Sequence, residues 1–286
     1  MKMGQFYESR ILYVLENSID LKSVKVLSVA NQKGGVGKTT TVINLGTALA
    51  AVGKRVLLID LDPQGNASTG FGLDTSKRTV TMSDVLIDQV DLKDAILKTS
   101  VPNLSLVPAS VDLSSADVEL VEDPHRALRL RAALSDLQDS EDEFDYVFID
   151  CPPSLNLLTL NALGASHSVL VPLQAEFYAL EGLSQLILTV REIRQNLNSG
   201  LKIEGIVLTM FDGRNNLSQQ VERDVRNHLE DLVFRTIVPR NVRLSEAPSF
   251  GMPAILYDHK SLGSIAYQKL AAEFLCRENR KDANTD

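Results

Sequence analysis

Short runs of β-branched and aliphatic residues recur along the chain, with longer stretches of helical apolar spacing between them. The run Val24-Lys25-Val26-Leu27-Ser28-Val29-Ala30 is brief, valine-rich and ends close to glycines, which predicts a buried parallel strand. Residues 39–52 follow with apolar positions at helical spacing, and Gly53 supplies a helix stop. Residues 55–60 predict a second strand, and 104–107, 146–149, 169–171, 203–210 and 233–238 continue the series. Helices are expected over 124–137, 179–197, 217–229 and 264–276. Strand alternating with helix implies an α/β fold, a mostly parallel twisted sheet with helices on both faces. No internal repeat interrupts the series. Residues 23–276 read as one domain, preceded by an N-terminal extension (1–22) and followed by a polar C-terminal tail (277–286). The acidic stretch 136–145 reads as a solvated loop.

Composition narrows the class without naming a function. At 286 residues, 44% hydrophobic and 23% charged, the chain has enough apolar content for a sizeable core. No stretch approaches the ~20 apolar residues of a membrane span. Glu8 and Arg10 break any secretory pattern at the start. Cys151 and Cys276 give neither metal-ligand spacing nor a disulfide framework, so a reducing cytoplasmic setting is expected. The four histidines are scattered, and no nucleophile-base arrangement stands out. The absence of tryptophan and the 5% aromatic content argue against a base-stacking surface for single strands. The net charge of −8 is unevenly spread, at −9 over residues 1–190 and +2 over 191–243. Any surface for nucleic acid must therefore be local and built late in the chain.

The strongest chemical signal is Gln32-Lys33-Gly34-Gly35-Val36-Gly37-Lys38-Thr39-Thr40, set between a predicted strand and a predicted helix. Glycines let successive backbone N–H groups point at phosphate oxygens, and the following helix presents its positive end to the same anion. Lys38 is placed to neutralise β- and γ-phosphates, and the Thr39 hydroxyl to ligand Mg²⁺. The usual pattern has a glycine where this chain has Gln32, while Lys33 adds a second lysine to the loop. Asp60 and Asp62 follow the second strand, and Asp150 ends another. Parallel strands gather such residues at one sheet edge, where Mg²⁺ would satisfy buried carboxylates. The plainer alternative for each aspartate is a helix cap.

These residues carry a resemblance. Lys33-Gly-Gly-Val-Gly-Lys38-Thr39-Thr40 resembles the deviant Walker A motif of the ParA/MinD ATPases, a branch of the P-loop NTPases. Asp60-Leu-Asp62-Pro-Gln-Gly-Asn resembles the ParA/Soj switch I segment, and residues 239–249 resemble a chromosomal ParA/Soj signature. Similarity runs from about Val24 to about Leu275, which makes 23–276 a ParA-like P-loop ATPase domain.

The resemblance implies an ATP- and Mg²⁺-dependent ATPase, slow alone, that forms a sandwich dimer with ATP. Lys33 would reach the partner's nucleotide, and Asp62 would position the attacking water beside the metal's outer shell. Asp60 and Asp150 would support Mg²⁺, and Pro239 and Asn241 would lie near the adenine. The nucleotide site as a whole would be Lys33, Gly34, Gly35, Val36, Gly37, Lys38, Thr39, Thr40, Asp60, Asp150, Pro239 and Asn241. Thr39, Asp62 and Asp150 would face the metal, and Lys33, Lys38 and Asp62 would carry catalysis. A ParB-like centromere-binding partner would stimulate hydrolysis.

The phosphate motif identifies a switch and leaves its cargo open. Partition ATPases hold nonspecific double-stranded DNA, whereas MinD-like proteins end in a basic amphipathic helix that enters the bilayer surface. Residues 277–286 have no apolar face, so no membrane anchor is expected and a nucleoid-associated cytoplasmic protein is. The alternative is a MinD-like or other cargo-positioning ATPase acting on a membrane or protein assembly. A nitrogenase-iron-protein class fails for want of cluster cysteines. The extension, with its short apolar set Ile11, Leu12, Val14 and Leu15, is too short for a helix-turn-helix domain. Arg214, Arg240, Arg243 and Lys260 are the candidate DNA contacts, each of which could equally be a solvated surface charge.

Overall fold

A computed structural model describes residues 24–135, 137 and 144–282. The expected extension 1–22 and most of the acidic loop lie outside those residues. The chain's valine-rich runs form seven strands: β1 (Lys25–Val29), β2 (Val56–Asp60), β3 (Leu97–Lys98), β4 (Leu104–Val107), β5 (Tyr146–Asp150), β6 (Ser168–Gln174) and β7 (Lys202–Thr209). They make one sheet in the order β3-β4-β2-β5-β1-β6-β7, parallel throughout except for the short edge strand β3.

Alternate residues of each central strand supply two separate cores, as a period of two requires when both faces are covered. Val26, Leu57, Ile59, Val147 and Ile149 face one cluster, beneath helices α3 (Met82–Leu86), α5 (Arg129–Ser135), α6 (Leu157–Gly164), α7 (Ala179–Asn196) and α8 (Asn216–Leu229). Leu27, Val56, Leu58, Tyr146 and Phe148 face the other, beneath α1 (Lys38–Ala51) and α11 (Leu262–Asp282). Short helices α2 (Asn66–Gly70), α4 (Ala116–Glu119), α9 (Val242–Glu246) and α10 (Ala254–Tyr257) complete the set among the described residues.

Three expectations need correction. Residues 233–238 are not a strand: only isolated bridges join Val233 to Ile206 and Pro239 to Phe211. The N–H groups of Arg235 and Thr236 donate to the Glu273 carboxylate on α11, at 2.7 and 2.8 Å, so a ladder on β7 cannot continue through them. The helix expected over 124–137 shrinks to α5 after a 3₁₀ turn, Arg126–Leu128, because the Asp123 carboxylate caps the N–H of His125 and turns the chain there. Helix α6 and strand β3 had no matching expectation. The final helix runs past Cys276 to Asp282, so the polar end begins as helix. Arg277 lies over the Phe234 ring at 4.0 Å and donates to the Val233 carbonyl at 2.7 Å, while Glu278 pairs with Lys25.

One close approach ties distant parts together. Gly72, just beyond α2, rests against Gly251 in the turn after α9, and both have positive φ (73° and 65°). A Cβ on Gly251 would come within 2.8 Å of the Gly72 Cα. Only two glycines permit this packing.

Candidate functional site

The loop 31–37 leaves the carboxyl end of β1 and turns through Gly35 (φ 74°) and Gly37 (φ 89°) into α1. Asn31 braces it from within, accepting the Lys33 N–H at 3.0 Å and donating to the Pro172 carbonyl on β6 at 2.8 Å. Gln32 donates to the Thr189 hydroxyl on α7 at 3.0 Å, which explains a glutamine where a glycine is usual. The Thr209 hydroxyl at the end of β7 holds the Val36 carbonyl at 2.8 Å. Lys38 is buried and its ammonium donates across the loop to the Lys33 carbonyl at 3.1 Å. Burial lowers its pKa, against the opposing pull of Asp150. Lys33 is exposed and ion-pairs with Glu176, two residues past β6.

Asp60 and Asp150 end neighbouring strands and face each other in register. Asp60 is fully buried, and one of its oxygens accepts both the N–H and the hydroxyl of Ser68, at 2.8 and 2.6 Å. Burial nevertheless pushes its pKa up to about 6. Asp150 is equally buried, but neither of its oxygens accepts a well-formed hydrogen bond among the described residues, with Thr39 and Lys38 only nearby. Burial, then the neighbouring Asp60, raises its pKa well above the carboxylate range, with Thr39 and Lys38 opposing. Asp62 accepts the Gln64 N–H at 3.0 Å and is itself buried. The adjacent Cys151 is buried, and that burial pushes its thiol pKa up, away from reactivity.

A cavity of about 640 Å³ opens over these residues. Its floor is Gly34, Gly35, Gly37, Lys38, Thr39 and Thr40, and one wall carries Asp62, Gln64, Asn66 and Thr69. The opposite wall includes Pro239 and Asn241 together with Met210, Val238, Leu244 and Tyr267. Sequence reading missed these last four. Met210 and Tyr267 come from the end of β7 and from α11, and the only local signal was their nearness to apolar strand and helix patterns. Among the expected nucleotide residues, Lys33, Val36, Asp60 and Asp150 are not on the cavity wall; Asp60 and Asp150 are fully buried, and Val36 contributes only buried backbone and core.

The expected DNA contacts are all exposed and fall into two pairs. Arg214 forks onto Asp212, whose pKa those hydrogen bonds lower to about 2, and Arg240 also pulls on Asp212 from the cavity rim. Arg243 pairs with Glu246 at 2.8 Å and with Asp258 at 3.4 Å, and Asp258 also accepts the Lys260 N–H at 3.2 Å. Two of the four, Arg214 and Arg243, thus form ion pairs with acidic side chains.

An AAA domain family model matches residues 24–203. The chromosome partitioning protein ParA of Caulobacter vibrioides is 55% identical over 91% of this chain and 97% of its own length. The sporulation initiation inhibitor protein Soj of Bacillus subtilis is 52% identical over 87% of this chain and 97% of its own. The chain belongs to the ParA/Soj family of chromosome-partitioning ATPases. The fold agrees with a wider group: a cobyrinic acid a,c-diamide synthase from Mycobacterium smegmatis, solved with a bound ATP analog and magnesium, superposes with a TM-score of 0.75. It is 40% identical, covering 87% of this chain and 93% of that one. For a ParA/Soj ATPase, loop 31–37 and the strand-end aspartates occupy the carboxyl edge of the sheet, where α/β folds place their ligands. No helix among the described residues is long and apolar enough to cross a membrane.

Proposed function

We propose that this protein is an ATP-driven DNA partition switch, whose ATP-bound dimer holds nonspecific double-stranded DNA and lets go on hydrolysis stimulated by a ParB-like partner. One observation carries the nucleotide half of this reading: the Asp150 carboxylate is buried beside Lys38 and Thr39, and neither of its oxygens accepts a well-formed hydrogen bond among the described residues. Such a group is costly without a counter-charge, and a hard divalent cation suits it. Thr39, Asp62 and Asp150 would hold Mg²⁺. When bound, the ion would supply neutralisation of charge on the phosphate oxygens.

The chain's own residues do the rest. The N–H groups at the start of α1 and the Lys38 ammonium bind the phosphates, and Asp60 anchors α2 through Ser68. Asp62 orients the attacking water. Pro239 and Asn241 border the base. Lys33 exchanges its own chain's Glu176 for the partner subunit's nucleotide when two copies meet. The ATP analog and magnesium of the M. smegmatis protein support ATP and Mg²⁺ as this chain's ligands.

Arg240 and Arg243, flanked by Arg214 and Lys260, would grip DNA phosphates, and dimerisation would join two weak patches into one. Such a protein is nucleoid-associated. The deciding experiment is DNA retention by the purified chain with ATP, ADP and no nucleotide, at low and moderate salt. Retention with ATP alone that weakens as salt rises is expected. ATP-dependent dimers that retain no DNA would sink the DNA half of the proposal and leave the ATPase intact.

A further inference from the structure

Arg78 lies outside the cavity and forms no salt bridge with an acidic side chain among the described residues, yet its guanidinium makes four hydrogen bonds. Nε donates to the Leu73 carbonyl at 3.0 Å, and Nη1 to the Ala109 carbonyl at 3.0 Å. Nη2 donates to the Gly65 carbonyl at 3.3 Å and to the Thr69 hydroxyl at 2.9 Å. These acceptors belong to three segments: the turn after β2, helix α2 with its exit, and the loop after β4.

The turn is the one that carries Asp62. The Gly65 N–H closes it on the Asp62 carbonyl at 2.8 Å, and the Gln64 N–H aims the Asp62 carboxylate at 3.0 Å. The guanidinium lies flush on its last residue, since a Cβ on Gly65 would stand 2.2 Å from Nη1. Behind the turn, the Ala109 N–H donates to the Ser68 hydroxyl at 3.2 Å, and that hydroxyl donates to Asp60. Ala109 is therefore held by Ser68 on one side and Arg78 on the other. The polar chain Asp60–Ser68–Ala109–Arg78–Gly65 runs from the strand-end Asp60 round to the turn that carries Asp62.

We infer that Arg78 is a positioning residue for ATP hydrolysis, fixing the Asp62 turn in the orientation in which its carboxylate faces the cavity. The inference rests on the proposed role of Asp62. A planar fork that bridges four neutral acceptors is a task for arginine, because a lysine ammonium reaches them only as a point charge. Displacement of a reacting group by about 1 Å costs on the order of 100-fold in rate, whereas ground-state nucleotide binding rests on the loop 31–37 and is left in place.

The test uses the full chain and compares Arg78→Ala, Arg78→Lys and Asp62→Ala for hydrolysis and for affinity toward a fluorescent ATP analogue. Arg78→Ala is expected to lower kcat by about 10- to 100-fold with nucleotide affinity within about threefold of the parent. Arg78→Lys should recover little, and it carries the same kcat-against-affinity reading if the alanine variant does not fold. Normal hydrolysis by Asp62→Ala would remove the reading on which the inference stands. If Asp62→Ala is inactive while Arg78→Ala keeps its kcat, Arg78 has no such role. A parallel fall in kcat and affinity, or full rescue by lysine, would likewise overturn it. Gly65→Ala should cost more kcat in the parent than in Arg78→Ala, where the methyl group meets no guanidinium; equal costs would refute the contact.

Discussion

Asp60 and Asp150 are register partners at the ends of β2 and β5, yet Ser68 holds the first through two short hydrogen bonds, while the oxygens of the second accept none of that kind among the described residues. Two adjacent carboxylates therefore have different jobs. Asp60 holds the turn and α2 in place, and Asp150 is left with capacity for a cation.

Asp150→Ala should cancel the stabilisation that Mg²⁺ and nucleotide give together. A ligand at about 100 times its Kd raises stability by about 2.7 kcal/mol. The parent should show that rise as a higher Tm with Mg²⁺·ATP than with ATP and a chelator. The variant should show no difference between the two conditions, and an undiminished Mg²⁺-dependent rise would remove Asp150 from the metal site.

Asp62→Ala should trap the ATP state. Hydrolysis is expected to fall by about 100-fold or more, the usual scale for losing a group that manages the attacking water, while ATP-dependent dimerisation persists. Single-turnover hydrolysis alongside sizing of the ATP-bound species reads both. Normal turnover would withdraw the catalytic assignment.

The Arg240→Ala, Arg243→Ala double variant should lose ATP-dependent DNA retention and flatten its salt dependence. Each lost phosphate contact reduces the slope of log K against log salt by about 0.9, so four arginines in a dimer reduce it by about 3 to 4. Glu246→Gln should act in the opposite direction, strengthening retention at low salt, because Glu246 now shares Arg243. Retention unchanged in the double variant would move the DNA surface elsewhere.

Glu273 offers a pH test away from the nucleotide. Burial works against its charged form, but the N–H groups of Arg235 and Thr236, with Arg277 beside them, outweigh it and hold the pKa below the usual value. A folded pKa below the unfolded one contributes stability above the unfolded value, and that contribution fades as pH falls through the folded one. Glu273→Gln should thus be less stable than the parent at neutral pH, and the gap should close as pH falls below about 4. Urea midpoints at pH 7 and in acid check this; a gap that widened in acid would contradict the assignment.

Much of this architecture was legible because parallel strands buried on both faces advertise themselves as short apolar runs. The β1 to α1 passage and the aspartates after β2 and β5 were readable for the same reason: a strand end fixes where the next polar residue points. Segment 233–238 misled, since its apolar residues are buried as a strand's would be while Glu273, distant in sequence, takes its N–H groups. Arg277 likewise looked like tail, and only its stacking on Phe234 shows why the helix goes on. The four hydrogen bonds of Arg78 could not be seen at all, because every acceptor but Thr69 is a backbone carbonyl and carries no residue signature.

The meeting of Gly72 and Gly251 has a mechanical consequence. Side chains soften most contacts between neighbouring segments by changing rotamer. Here main chain bears on main chain, with the turn beyond α2 on one side and the stretch between Arg243 and Lys260 on the other. At this contact neither segment has a side-chain rotamer with which to accommodate a shift of the other.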